Sequence, residues 1–377
     1  MNISTQVAHI GVGWDSFTGG VTVPIYQTAT FCHPGLGKST GYDYSRSKNP
    51  TRQVLEDAIA SLEGASRGFA YSSGMAAITS LLLLFKAGDH LVVTEDLYGG
   101  TYRLLEQCFS RFGLSFGYVD TTDLRAVEDA IQPETRALFV ESLTNPLLKV
   151  ANIAGLSTIS RDHGLLTIVD NTFLTPCLLR PLELGADITV HSGTKYLAGH
   201  NDVLCGLLAV KDPALAEKVA FHQNAAGAVL GPQDSWLTIR GMKTLSIRLE
   251  RQQINAGRIA LWLSRHSKVC KVYYPGLPTH PGHEQAIRQG RGFGAIISFE
   301  VTEPSFVEPL LSRTRLISFA ESLGGVETLI TFPAVQTHSD IDPKTRERLG
   351  ITSTLLRLSV GIEDADDLIA DLERALA

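Results

Sequence analysis

Short apolar runs, each followed by polar residues, constrain this chain more than anything else in it. Five are plain: His90-Leu-Val-Val-Thr94, Ala137-Leu-Phe-Val140, Leu165-Leu-Thr-Ile-Val169, Asp187-Ile-Thr-Val190 and Gly206-Leu-Leu-Ala-Val210. A sixth, Arg67-Gly-Phe-Ala-Tyr71, leads through Ser72-Ser73-Gly74 into an apolar helical pattern reaching about Lys86. Runs without alternation are buried on both faces, and helical spacing separates them. The reading is an α/β class with a mostly parallel central sheet. Ligands of such sheets bind beyond the carboxyl ends of the strands. Ser73, Tyr98, Asn145, Asp170 and Lys195 follow strand ends and are expected at one site.

The two ends of the chain read differently. Glycine and proline punctuate residues 1–52 too often for long elements. An irregular stretch of that length is functional or reaches a partner. Val54, Leu55, Ile59 and Leu62 then fall at helical spacing from Thr51 to Glu63, with Gly64 as a stop. A long helical pattern, about Gly241 to Arg265, leads to a part with strands at Val272–Tyr274, Ala295–Glu300 and Leu355–Val360 and an amphipathic helix over Asp364–Ala377. The expected divisions are an arm 1–52, an α/β domain 53–250 and a smaller C-terminal α+β domain 251–377.

Charge and cysteine usage exclude several classes. A net charge of −6 without a Lys/Arg cluster argues against a nucleic-acid binder. Leu81 to Phe85, the longest apolar run of its half, is too short for a bilayer, and no signal peptide is read at the start. Cys32, Cys108, Cys177, Cys205 and Cys270 are scattered, which fits reduced thiols in a cytoplasmic protein. His191 and His200 lack metal-ligand spacing, and no H-E-x-x-H occurs, so no metal is expected.

The strand-end residues carry a definite chemistry. Lys195 stands in a small polar turn, where a desolvated amine becomes a nucleophile towards carbonyls. Asp170, 25 residues earlier, needs a cation or donor if buried. Carboxylate then lysine on successive strand ends is what pyridoxal phosphate requires of a protein. Ser73-Gly74 before a helix suits a phosphate, although it is equally an ordinary N-cap. Tyr98 can stack on a flat ring or simply pack; Asp170 can cap a turn; Lys195 can be a solvated loop lysine.

The stretch D-I-T-V-H-S-G-T-K-Y-L-A-G-H (187–200) resembles the lysine signature of the Cys/Met-metabolism PLP enzymes, the cystathionine γ-synthase group. Y-D-Y-S-R-S-K-N-P-T-R (42–52), S-S-G-M-A-A (72–77), D-L-Y-G-G-T-Y-R (96–103), V-D-N-T-F (169–173), A-E-S-L-G-G-V-E (320–327) and L-R-L-S-V-G-I-E (356–363) resemble the same family, in order, along nearly the whole chain. Gly193 departs from it, because alanine is common there. The resemblance implies a PLP-dependent transferase of fold type I, like aspartate aminotransferase. It implies that Lys195 joins the cofactor and shuttles protons, that Asp170 pairs with the ring nitrogen and that Tyr98 stacks on the ring and assists proton transfer. Ser73, Gly74, Met75, Ser192 and Thr194 are implied on the phosphate side, with Tyr44 and Arg46 arriving from a neighbouring subunit. Arg357 would hold the substrate α-carboxylate, with Asn145 and Ser322 in support. The assembly implied is a homotetramer of two catalytic dimers acting on small amino acids, with no nucleic acid and no membrane.

Within that resemblance the reaction is read from few residues. Glu321 stands where γ-acting members carry an acid, and Asp43 and Arg103 match positions meeting the distal end of the substrate. Gly100 stands where methionine γ-lyases have cysteine. The expectation is γ-replacement: an O-acylhomoserine loses its γ-substituent and cysteine takes its place, giving cystathionine. Cystathionine γ- or β-lyase is the alternative, and a non-catalytic module on the same fold is an alternative of another class.

Overall fold

The computed structural model describes residues 1–339 and 341–377. Seven strands form one sheet: β1 (Arg67–Tyr71), β2 (His90–Thr94), β3 (Ser115–Val119), β4 (Thr135–Glu141), β5 (Leu166–Asp170), β6 (Ile188–Ser192) and β7 (Gly206–Val210). Their spatial order is β1-β7-β6-β5-β4-β2-β3. The neighbours from β3 through β6 are parallel, whereas β6–β7 and β7–β1 are antiparallel. β2 and β7 are buried along their whole length, as continuous apolar runs require when helices cover both faces. Glu141 on β4 pairs with Asp170 on β5, and Asp170 with Val190 on β6, so β4 and β5 finish level and β6 runs two residues further, to Ser192. The antiparallel return of β7 makes residues 193–205, which carry Lys195, a loop between adjacent strands.

A second, five-stranded sheet holds β8 (Val269–Tyr273), β9 (Ile296–Val301), β10 (Ser318–Phe319), β11 (Leu329–Thr331) and β12 (Leu355–Ser359), in the order β10-β11-β12-β9-β8. β12 lies between antiparallel β9 and β11 and is buried throughout, which places Arg357 in the interior. One hydrophobic cluster runs from Val140 and Val169 of the first sheet to Phe299 and Leu356 of the second. The helix Leu245–Leu263 contributes Leu249, Ala256, Ile259 and Leu263 to it. Among the described residues, no helix is long and apolar enough to cross a membrane.

Several elements differ from the sequence reading. The arm contains a short helix, Ile3–Ala8, capped by Asn2. The helix after Ser73 stops at Leu82, not near Lys86. The pattern expected as one helix from Gly241 to Arg265 is two, Pro232–Met242 and Leu245–Leu263. The break is held by Arg248, whose buried guanidinium donates to Gly241 O at 2.9 Å, Tyr196 O at 2.8 Å and Leu197 O at 3.3 Å. A helix end with buried carbonyls needs such a donor. The same arginine pins the residues that follow Lys195. β3 escaped the sequence reading because Ser-Phe-Gly-Tyr-Val is a half-buried edge strand with no continuous apolar run.

Asp371 fixes the last helix, Ala365–Leu376, to the sheet. Its carboxylate, 1% exposed, accepts the backbone N–H groups of Arg315, Leu316 and Ile317 at 2.9–3.0 Å. Burial alone would raise this carboxyl, but the backbone donors outweigh it and hold it below the usual carboxylate range. Asp371→Asn removes the charge that these N–H groups and Arg374 meet, and turns an amide N–H towards the Arg374 guanidinium if its oxygen keeps the backbone donors. It should cost about 3 kcal/mol, as lost hydrogen bonds to a charged acceptor do, read as a lower denaturant midpoint at unchanged slope.

Candidate active site

A cavity of about 360 Å³ opens where the two sheets meet. It gathers Ser73, Gly74, Met75, Tyr98, Asn145, Asp170, Ser192, Thr194, Lys195, Glu321, Ser322 and Arg357, twelve of the residues singled out in the sequence. Asp43, Tyr44, Arg46 and Arg103 do not line it within this chain. Tyr44 and Arg46 stack on each other at 5.3 Å, and Arg46 bonds Asn224 at 3.4 Å. Asp43 accepts from Ser39 at 2.5 Å, and Arg103 is the exposed last residue of the otherwise largely buried helix Gly99–Arg103. A wider cleft of about 1010 Å³ lies elsewhere, lined by Lys149, Lys271, Tyr273 and His280. Its Lys149 is already paired with Asp120 at 2.7 Å and Glu95 at 3.2 Å, so it offers no comparable set of reactive groups.

Lys195 leaves β6 on a tight turn and points its amine at Ser322 Oγ, 2.8 Å away. Burial, and then the Arg357 guanidinium, bring the amine down to about 8, with Glu321 opposing. Such an amine is still mostly protonated at pH 7, but its neutral, nucleophilic fraction there is far larger than that of an ordinary lysine. Ser322 adopts φ 92°, a left-handed conformation that disfavours a serine. In that conformation its hydroxyl meets Lys195 while its carbonyl accepts from Arg357 Nη2 at 3.0 Å.

Arg357 is 1% exposed, and its other partners are Asn145 Oδ1 at 2.8 Å and Thr331 Oγ1 at 3.1 Å. All three acceptors are neutral, and Nε is buried without a partner. Burial pushes the group down to about 10, so it stays cationic at neutral pH. A buried guanidinium with spare donors is a carboxylate site.

Asp170 lies half-buried on the floor of the cavity. Burial raises its carboxyl, against Thr172, which donates its N–H at 3.0 Å and its hydroxyl at 2.5 Å, and against the nearby His191. Its donors are neutral, so a cationic ring nitrogen suits it. Ser73 caps the helix Gly74–Leu82 by accepting Ala76 N–H at 3.1 Å. A Cβ built on Gly74 would lie 3.1 Å from Ser192 Cβ, inside the space between the two loops. That space faces a helix N-terminus and the Ser192 and Thr194 side chains, a cradle for a phosphate. The donor set thus fits a flat cationic ring bearing an aldehyde and a phosphate. Gly193 has its own reading: a Cβ there would lie 2.7 Å from Cys205 Sγ, so an alanine at 193 would require the buried Cys205 side chain to shift.

The sequence reading did not single out Glu141, Thr172, Leu204 and Thr337, which also line the cavity. The signal for the first two was present, since both adjoin strand ends already chosen. Leu204 and Thr337 have none, for they arrive by tertiary folding.

The description Cys/Met metabolism PLP-dependent enzyme matches residues 4–377. A cystathionine beta-lyase of Lactococcus lactis subsp. cremoris (strain MG1363) is 50% identical over 375 residues, 100% of this chain and 99% of that protein. A cystathionine gamma-synthase/O-acetylhomoserine (thiol)-lyase of Bacillus subtilis (strain 168) is 51% identical over 375 residues, 100% of this chain and 96% of that protein. The crystal structure of a cystathionine gamma-lyase from Lactobacillus plantarum, complexed with L-serine, superposes with a TM-score of 0.97 at 47% identity, covering 100% of this chain and 98% of that one.

The lowered amine makes a pH signature. Trapping of a small aromatic aldehyde on Lys195 by borohydride, in protein freed of cofactor, should rise with pH and level off above about 8. A rise continuing towards the ordinary lysine range, near 10.4, would contradict the environment described for this amine.

Proposed function

The chain belongs to the Cys/Met metabolism PLP-dependent enzyme family, and from that footing we propose that it joins cysteine to an O-acylhomoserine to give cystathionine. When bound, pyridoxal 5'-phosphate supplies an aldehyde for amines and a cationic ring that withdraws electrons from the substrate α-carbon. The rest is the work of this chain's residues. Lys195 Nζ would hold the cofactor and, when free of it, would take the substrate α-proton and afterwards a β-proton. Its lowered affinity for protons lets it act as base near neutral pH. Asp170 keeps the ring nitrogen charged. Tyr98 covers one ring face and assists proton transfer. Ser73, Gly74, Met75, Ser192 and Thr194 hold the phosphate. Arg357, steadied by Asn145 and Ser322, holds the α-carboxylate, and Asn145 also supports the cofactor.

The observation that carries the γ-replacement reading is Glu321. It lines the cavity beside Ser322, close enough to act electrostatically on both Lys195 and Arg357. A carboxylate there receives the amino group of the incoming cysteine and leaves the γ-carbon facing the thiolate. Asp43 and Arg103 serve the distal end of the substrate from the edge of the site. The lyase reading keeps the support of the 50% identity to a cystathionine beta-lyase, because the groups that hold the cofactor serve either reaction.

A second copy of the chain completes the site. Among the described residues lining the cavity, the cations are Lys195 and Arg357, and neither lies at the phosphate cradle. Tyr44 and Arg46 are exposed on the arm and reach the phosphate of the neighbouring subunit. The assembly is a homotetramer of two such catalytic dimers, working in the cytoplasm.

Purified protein given O-acetylhomoserine and cysteine should make cystathionine. Glu321→Ala should lower that rate by about 10- to 100-fold, the range for one charge-assisted contact, and lower any β-cleavage of cystathionine less. Cleavage of cystathionine to pyruvate and homocysteine, with no cystathionine ever made, would replace the synthase reading by the β-lyase one. Lys195→Ala and Arg46→Ala chains, each weak alone, should regain about a quarter of wild-type activity when dissociated, mixed and reassembled, because one site of each mixed pair is then intact. No regain would mean that each chain builds its own site.

A further inference from the structure

Glu141 has no role in the reading above, yet it occupies the centre of the site's framework. It ends β4, level with Asp170 at the end of β5, and is 6% exposed. Its two carboxylate oxygens are divided between two loops: Oε1 accepts the N–H of Tyr98 at 2.8 Å, and Oε2 accepts the N–H of Asn145 at 3.1 Å. Tyr98 opens the helix Gly99–Arg103 and has no side-chain cap of its own. Asn145 in turn accepts from Arg357 at 2.8 Å. One side chain therefore joins the aromatic wall of the cavity to the partner of its guanidinium.

The choice of a carboxylate is costly. Burial raises its carboxyl well above the usual range, and the like charges of Asp170 on β5 and Asp96 beyond β2 add to that, against the N–H groups of Tyr98 and Asn145. A neutral side chain would avoid that cost but could not accept both N–H groups. An amide presents one acceptor and one donor, so one of the two backbone donors would face another donor. A carboxylate of this length, with one oxygen for each loop, meets both N–H groups at once.

We propose that Glu141 is a positioning residue that sets the separation of Tyr98 and Asn145, and so the register between the ring-covering wall and the carboxylate-holding pair. The proposal rests on the reading of the cavity as a pyridoxal 5'-phosphate site. It accounts for a buried acid next to another buried acid, which the general chemistry of the cofactor does not require.

The test uses full-length protein freed of cofactor and titrated with pyridoxal 5'-phosphate, as wild type, Glu141→Gln and Glu141→Asp. The readouts are the affinity for the cofactor, the visible circular dichroism of the bound cofactor, thermal stability with and without it, and KM apart from kcat. Glu141→Gln should weaken cofactor binding by about 10-fold, as the loss of a hydrogen bond to a charged acceptor does, shrink the visible dichroism and raise KM through the Asn145–Arg357 pair. Glu141→Asp, one methylene shorter, reaches one N–H and should fall between. If the glutamine variant does not fold, the aspartate variant carries the same comparison. Wild-type affinity, dichroism and KM in the folded variants would overturn the proposal. So would an equal loss of thermal stability with and without cofactor and an intact dichroism band, which marks a residue that only supports the fold. Wild-type protein that binds no cofactor would instead overturn the reading of the cavity itself.

Discussion

Two basic side chains share one small cavity, and the rest of the site follows from keeping both there. Burial first, and then the guanidinium of Arg357, which stays cationic at neutral pH, bring the Lys195 amine down to about 8. The neutral amine is what carbonyl chemistry needs. Ser322 bridges the two, with its hydroxyl to one and its carbonyl to the other, and its φ of 92° is the strain that this double contact requires. Arg357 thus both binds an anion and tunes the amine, and the two roles cannot be separated by moving either side chain.

The arrangement also depends on bringing two sheets to one point. The first supplies Asp170, Ser192 and Lys195 from the carboxyl ends of β5 and β6. The second supplies Arg357 from the middle of β12. Contacts on the loop after β4 hold them together: Ser298 Oγ donates to Pro146 O at 2.6 Å, and His338 Nε2 lies 2.8 Å from Asn145 O. Burial pushes His338 down to about 4, so it stays neutral and its ring serves as a hydrogen-bond partner, not as a charge beside Arg357. The loop that receives these bonds is the one Glu141 ties to Tyr98.

What the sequence made legible follows from where the signal lies. Continuous apolar runs announce buried parallel strands, and the residues just after them announce the site, so Ser73, Asp170 and Lys195 were accessible without a structure. β3 was not, because an edge strand with Gly117 at its centre has neither pattern. The break at Lys243 was not, because the cause is Arg248 reaching back to Gly241 and across to Tyr196, a contact between helix and loop with no local signature. Glu141 was visible as a strand end but gave no reason to prefer it. Its importance lies in two backbone N–H groups, which no side-chain pattern reveals. Gly193 shows the converse. It looked like a departure from a family pattern and became intelligible only beside Cys205, twelve residues on and in contact through the return of β7.

The same physics explains why relatives with three different reactions are almost equally similar to this chain. The polar groups deep in the cavity are interlocked. Asp170 is bonded to Thr172, Arg357 to Asn145, and Glu141 to two loops, so a change in any of them disturbs the others. The groups proposed to serve the far end of the substrate are exposed: Glu321 beside Ser322, Asp43 on the arm and Arg103 on the helix after Tyr98. Exposed residues change at little cost to the fold. Selection can therefore alter which carbon of the substrate loses its substituent while leaving the machinery that activates it untouched, and overall identity near 50% carries little information about which reaction a given chain performs.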